Sequence, residues 1–175
     1  MKQGLIQIYT GEGKGKTTAA VGLALRARGH NFKVGYISFF KDPKKFGYAE
    51  LKLLKKLGVR IFGFSHKHPH FYKNLDPNSV RRECLKGINF IKKICRDESY
   101  DLLILDEILV SLRDGFLKEK EILEIMKLKP QGMELIMTGR GATNKIIEEA
   151  DLVSIINKKK HYFDKGVKKR RGIEF

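Results

Sequence analysis

The stretch Thr10-Gly11-Glu12-Gly13-Lys14-Gly15-Lys16-Thr17-Thr18 constrains this chain more than any other, because of what stands on either side of it. Before it runs a short apolar segment, Gly4-Leu5-Ile6-Gln7-Ile8-Tyr9, and after it an alanine-rich amphipathic segment from Ala19 to Arg28. A strand, a glycine-rich turn ending in Gly-Lys-Thr, then a helix is the layout of a phosphate loop. Glycines let backbone N–H groups crowd around phosphate oxygens, and the helix N-terminus adds partial positive charge. Lys16 adds a full charge, and the Thr17 hydroxyl is of the kind that ligates Mg²⁺. The sequence therefore carries a nucleotide site whose binding residues are Gly11, Glu12, Gly13, Lys14, Gly15, Lys16, Thr17 and Thr18.

The spacing departs from the usual G-x-x-x-x-G-K, which would require glycine at position 10. That position is Thr10, and only Glu12, Gly13 and Lys14 separate Gly11 from Gly15. Either the loop is one residue tighter or Thr10 takes the outer position. In both cases a second lysine, Lys14, lies inside the turn.

Apolar runs alternate with amphipathic stretches along the rest of the chain, the pattern of a parallel sheet covered on both faces. Strands are predicted near Leu5–Tyr9, Lys33–Phe40, Arg60–Phe64, Leu102–Leu105, Glu134–Thr138 and Leu152–Asn157. Helices are predicted near Thr17–Arg28, Gly47–Lys56, Ser79–Arg96, Lys118–Lys127 and Thr143–Ala150, with Gly29 and Gly58 at helix C-caps. The expected fold is α/β and P-loop NTPase-like: a mostly parallel six-stranded sheet with helices on both faces. At 175 residues the chain has the size of one domain, and residues 1–175 are expected to form a single nucleotide-binding unit.

With 42% hydrophobic and 32% charged residues the composition is that of a globular protein, and no apolar run is long enough to cross a bilayer. Met1-Lys2-Gln3 leads straight into the first strand, which leaves no room for a targeting peptide, so a cytoplasmic location is expected. Cys84 and Cys95 fall in the series Cys84, Ile88, Ile91, Cys95, helical core spacing that predicts buried thiols rather than a redox or zinc site. The formal charge of +16 favours anionic partners, and much of it lies in Lys158-Lys159-Lys160-His161 and Lys168-Lys169-Arg170-Arg171. Without interleaved aromatics these runs read as solvated basic faces in preference to a nucleic-acid platform.

Ligands of such sheets bind beyond the carboxyl ends of the strands. The apolar run Asp101-Leu102-Leu103-Ile104-Leu105 ends in Asp106-Glu107, which together with Thr17 form the expected Mg²⁺ ligands. After the fifth strand comes Thr138-Gly139-Arg140-Gly141, where Arg140 could neutralise phosphate or fork onto a carboxylate. Arg26, late in the first helix, is either structural or a phosphate or ribose contact. His66-Lys67-His68-Pro69-His70, followed by Phe71-Tyr72, allows metal ligation, a polar loop or an aromatic surface for a flat ligand.

Taken in order, these motifs resemble the ATP:corrinoid adenosyltransferases that act on cob(I)yrinic acid a,c-diamide and cobalamin precursors. The resemblance is carried by Ile6 to Ala20, Arg26-Ala27-Arg28-Gly29-His30, Asp101 to Glu107, Leu135 to Gly141 and Glu149-Ala150-Asp151-Leu152-Val153. It continues in the tail, Lys160 to Val167 and Gly172-Ile173-Glu174-Phe175. It implies a reaction in which Co(I) of a reduced corrinoid attacks the 5′ carbon of ATP and expels triphosphate. Lys16 and Arg140 would be the catalytic residues, Arg26 a nucleotide contact, and Thr17, Glu107 and Asp106 the metal ligands. The resemblance further implies an electron donor for Co(II) reduction and a homodimer.

Members usually carry Gly-Phe-Thr-Trp after the third strand, with aromatics that help cover the corrinoid. This chain has no tryptophan, and the corresponding region is read as the histidine loop with Phe71 and Tyr72. Two further readings are open: a divergent phosphate-loop ATPase, and an ATP-dependent nucleic-acid-binding protein motivated by the positive charge.

Overall fold

The computed structural model describes residues 3–41, 48–67, 72, 75–97 and 99–174. Its strands are β1 (Ile6–Thr10), β2 (Val34–Phe39), β3 (Arg60–Phe64), β4 (Leu102–Asp106), β5 (Glu134–Thr138) and β6 (Leu152–Ile155). The helices are α1 (Lys16–Gly29), α2 (Ala49–Lys56), α3 (Pro77–Asp97), α4 (Ile108–Arg113), α5 (Glu119–Leu128) and α6 (Asn144–Glu148), followed by a 3₁₀ turn at Tyr162–Lys165. The six strands form one sheet in the order β3-β2-β4-β5-β1-β6, and every pairing is parallel.

This order explains the composition of each strand. Central β2 and β4 are buried along their whole length, matching their continuous apolar text Val34 to Phe39 and Leu102 to Leu105. Edge strand β6 is largely exposed, and its Leu152 and Ile155 face outward. On one face α1 packs Ala20, Ala24 and Ala27 against Tyr36, Ile104 and Ile136, together with Leu51 and Leu54 of α2. Small alanines let α1 lie close to the sheet, where it crosses β4 and β5. On the other face α3 presents Val80, Cys84, Ile88, Ile91 and Cys95 at helical spacing. Both thiols are free and buried as expected, and burial pushes their pKa values up, to about 12 for Cys84 and about 11 for Cys95.

Two elements escape the sequence patterns. Helix α4 is six residues long and buried at Ile108, Leu109, Val110 and Ser111, too short for a helical period to show. The 3₁₀ turn at Tyr162–Lys165 is equally short. Gly29 is not the C-cap of α1: it is the last helical residue, His30 caps, and the left-handed conformation falls on Asn31 at φ 62°. Gly58 does take left-handed backbone directly after the α2 cap, at φ 84°.

Candidate nucleotide site

Thr10 belongs to β1: it is buried and in register with Ile155 of β6, so the loop proper starts at Gly11 and is one residue tighter than usual. Gly11 has φ 98°, and a Cβ there would come within 2.6 Å of the Ile156 carbonyl oxygen. That carbonyl accepts a 2.6 Å hydrogen bond from Gly13 N–H, so the segment after β6 forms one wall of the loop. Gly15, at φ 127°, begins α1 without any side-chain cap. The first-turn N–H groups of a 14-residue helix are thus left to an external acceptor, together with the positive end of its dipole. Lys16 is buried at 7% exposure and donates to the carbonyls of Gly11 and Gly13, both at 2.7 Å. Burial lowers its pKa, so its charge is poorly solvated. Thr18 lies in the exposed first turn of α1.

The ends of three strands, β2, β4 and β5, meet beside this loop. Asp106 ends β4 with no exposed surface, and its Oδ1 accepts hydrogen bonds from Thr17 Oγ1 at 2.9 Å and Thr138 Oγ1 at 2.7 Å. Its Oδ2 lies 2.6 Å from the ammonium of Lys41, which follows β2. Burial alone would raise the Asp106 carboxyl, but the Lys41 charge beside Oδ2 and the hydrogen bond from Thr138 outweigh it and hold the carboxyl below the usual range. Lys41 is itself buried, yet its pKa is raised, because Asp106 overcomes the cost of desolvating the ammonium.

Glu107 takes left-handed backbone at φ 63° and caps α4. The turn is fixed by Thr138, whose hydroxyl accepts from Glu107 N–H at 3.0 Å while donating to Asp106. Burial first, and the neighbouring Asp106 charge second, push the Glu107 carboxyl up to about 7. Lys41, Lys16 and Arg140 oppose that rise.

Arg140, beyond β5, forms an ion pair with Glu12 of the loop at 2.7 Å and reaches the Glu12 carbonyl at 3.4 Å. The fold thus gathers Glu12, Lys16, Thr17, Asp106, Glu107 and Arg140 of the expected site around the loop.

Two expected nucleotide contacts are not gathered in this way. Lys14 is turned outward, its ammonium 3.3 Å from Glu174 Oε1 and 3.3 Å from the Ile173 carbonyl. Glu174 is in turn bound by Tyr162 Oη and by Arg170, whose N–H donates at 2.6 Å, so one tail carboxylate organises residues 162–174 against the loop. Arg26 lies ten residues beyond Lys16 on α1, an axial rise of about 15 Å, and its charge acts on Tyr9.

Sequence reading missed Lys41 and Thr138, although both stand at strand ends, which is where such sheets bind ligands. A lysine directly after the run Val34 to Phe40, in which Ser38 is the one hydroxyl among small and apolar or aromatic residues besides Tyr36, was the available signal for the first.

At the β3 end, Gly63-Phe64 runs directly into Ser65-His66, so the histidine loop begins at the carboxyl end of that strand. His66 Nδ1 lies 3.1 Å from the Lys41 carbonyl, a hydrogen bond in the Nδ1-protonated form. Lys67 lies over the Tyr72 ring at 5.8 Å, whereas His68, His70 and Phe71 fall outside the described residues.

The donor set fits Mg²⁺. Thr17 and Glu107 supply hard oxygens beside the loop, and Glu107 is a largely desolvated carboxylate whose charged form a cation would favour. Among the described residues no three His, Cys, Asp or Glu side chains cluster into a metal cage.

Loop, uncapped helix and acidic strand end define the class: a phosphate-loop nucleotide-binding protein of parallel α/β architecture. A KaiC-like protein of Pyrococcus horikoshii OT3 shares that fold, with a TM-score of 0.56 over 91% of this chain and 75% of its own at 17% identity. The family model described as ATP:corrinoid adenosyltransferase BtuR/CobO/CobP matches residues 2–175. The corrinoid adenosyltransferase of Escherichia coli K12 is 35% identical over 99% of this chain and 87% of its own length. Corrinoid adenosyltransferase CobA of Salmonella typhimurium LT2 is 33% identical over the same shares. The chain belongs to the ATP:corrinoid adenosyltransferase family, and it is a transferase. None of its described helices is long and apolar enough to cross a membrane.

Proposed function

We propose that this protein transfers the adenosyl group of ATP to the Co(I) centre of a reduced corrinoid, in cobalamin synthesis or salvage. Support comes from the gathering of Lys16, Thr17, Glu107 and Arg140 around an uncapped helix N-terminus, in a chain of this family. In this reaction the cobalt electron pair forms the Co–C bond, the C5′–O bond breaks, and its pair leaves on the triphosphate. No proton has to move in that step. What the protein must supply is an in-line pose and positive charge where the leaving group gathers its negative charge.

The residues suit that task. The α1 N–H groups receive phosphate oxygens, and Lys16 exchanges the carbonyls of Gly11 and Gly13 for them. Arg140 exchanges Glu12 for the triphosphate, and Lys14 joins when it leaves Glu174. Thr17 and Glu107 would hold Mg²⁺, which when bound adds positive charge to the triphosphate. Gly63-Phe64-Ser65-His66, with Tyr72, is the proposed start of the corrinoid-facing side. An electron donor for the Co(II) to Co(I) step, a cytoplasmic setting and a homodimer complete the reading, the last on family resemblance.

The test is an anaerobic assay with ATP, Mg²⁺ and chemically reduced cob(I)alamin or its incomplete precursors. A light-sensitive Co–C product and an equal amount of free triphosphate are expected. Release of ADP and inorganic phosphate without that product overturns the proposal. Lys16→Ala should lower turnover about 10²- to 10³-fold, the scale of removing one preorganised stabiliser of developing charge.

A further inference from the structure

The β2 strand end contributes a group that the reading above does not use. Lys41 is 9% exposed, its ammonium is 2.6 Å from Asp106 Oδ2, and the same ammonium lies 5.1 Å from the centre of the Tyr48 ring. Thr17 and Thr138 donate to Oδ1 of Asp106, and Lys41 is ion-paired with its Oδ2. A divalent ion on Oδ2 would have to displace an ammonium and leave it buried without its counter-charge, an expensive exchange. Thr17, by donating its proton to Asp106, keeps its oxygen lone pairs for another partner.

We propose that Lys41 is the resident counter-cation of Asp106: it reserves Asp106 for positioning Thr17 and leaves Glu107 and Thr17 as the protein's ligands for the divalent ion. This rests on the ATP- and Mg²⁺-dependent reading, and it changes the role of Asp106 from metal ligand to positioning residue. Two protein ligands form a weak site alone, so the ion enters together with the triphosphate. Lys41 thereby makes metal binding conditional on nucleotide.

Mn²⁺ is the probe, and the readout is the factor by which it tightens ATP binding in calorimetry. Replacing the buried pair together, as Lys41→Met with Asp106→Asn, removes both charges at once, which proteins commonly tolerate. That double variant should keep the Mn²⁺ factor within threefold of the parent, whereas Glu107→Gln should reduce it at least tenfold. A loss in the double variant as large as in Glu107→Gln overturns the proposal.

Without nucleotide, Lys41→Met alone frees Asp106 beside Glu107. Direct Mn²⁺ binding, followed by electron paramagnetic resonance, should then tighten at least tenfold, and Lys41→Arg should show no such gain. Unchanged Mn²⁺ binding by folded Lys41→Met also overturns it; if that variant does not fold, the double variant decides. Neither readout uses adenosyl transfer. An unmodified protein that fails the cobalamin assay refutes the reaction and leaves both metal measurements standing. If ATP itself does not bind, the nucleotide-free arm decides.

Discussion

The Glu174 carboxylate stands 3.3 Å from the Lys14 ammonium, tying the tail to the middle of the phosphate loop. Lys14 is thus held by a carboxylate on the outer side of the loop while Lys16 is held by carbonyls within it. Glu174 is well placed to compete, because Arg170 and Tyr162 keep its pKa far below the ordinary carboxylate range. Triphosphate and Glu174 are rivals for one cation. Glu174→Gln should tighten binding of inorganic triphosphate about two- to fivefold at low salt, the scale of a partly exposed ion pair, and the gain should shrink as salt is added. Weaker binding in titration calorimetry would show instead that the tail helps to build the site.

Thr138 is the joint between the metal-side carboxylates, accepting from the Glu107 N–H and donating to Asp106. Thr138→Val keeps the shape and removes both bonds, leaving a buried N–H and one lone pair of a buried carboxylate unsatisfied. A loss of about 1–3 kcal/mol is expected in urea unfolding. The β5 strand should remain intact by amide exchange, while Glu107 loses its fixed turn and the Mg²⁺ dependence of ATP binding weakens.

Features written in contiguous residues were legible in the sequence. The phosphate loop announces itself within Gly11 to Thr18, and each strand is an apolar run whose ends shift by only one or two residues in the structure. Asp106 and Glu107 were legible because they end such a run. Partnerships made across the sheet were not. Lys41 reads as a solvated charge until β2 is laid beside β4, which brings it to a residue 65 positions away. That Lys14 is held by the tail was not legible either, because spacing says nothing of side-chain direction and its carboxylate partner lies 160 residues off. Arg26, which family likeness places near the nucleotide, lies ten residues along α1 from Lys16 and acts on Tyr9, a position that spacing within the loop does not fix.

Glu107 gives the nucleotide-free protein a distinctive pH response. Its carboxyl is pushed up to about 7, against about 4.3 for a free glutamate in the unfolded chain. Between those values the folded state binds more protons than the unfolded one, so stability falls as pH rises through the window. The full effect is on the order of 3 kcal/mol, and it is complete above pH 7. Asp106 works in the opposite sense and at lower pH: its carboxyl is depressed, so its contribution is lost only in acid. Urea unfolding at pH 5 to 8, with chelator present, should show the decline, and Glu107→Gln should flatten it. Curves of the same slope for both proteins would show that the carboxylate is better solvated than its surroundings suggest.

Gly11 and Gly22 are separated by one loop and less than two turns of α1, and their alanine variants should differ in sign. At Gly11 the backbone is left-handed and the Ile156 carbonyl leaves no room for a Cβ, so Gly11→Ala must move either the loop or the segment after β6. That segment also accepts the Gly13 N–H, so the change should loosen residues 156–174 as a unit, raising their amide exchange and lowering ATP affinity at least tenfold. At Gly22, within α1, a Cβ would meet nothing within 4 Å. Gly22→Ala should therefore stabilise the protein by about 0.5–1 kcal/mol through helix propensity alone, raising Tm by about 1–4 °C with ATP affinity unchanged. If Gly11→Ala behaves like Gly22→Ala, the tight loop is not pressed against the β6 exit, and Lys16 is not held there by the wall that β6 supplies.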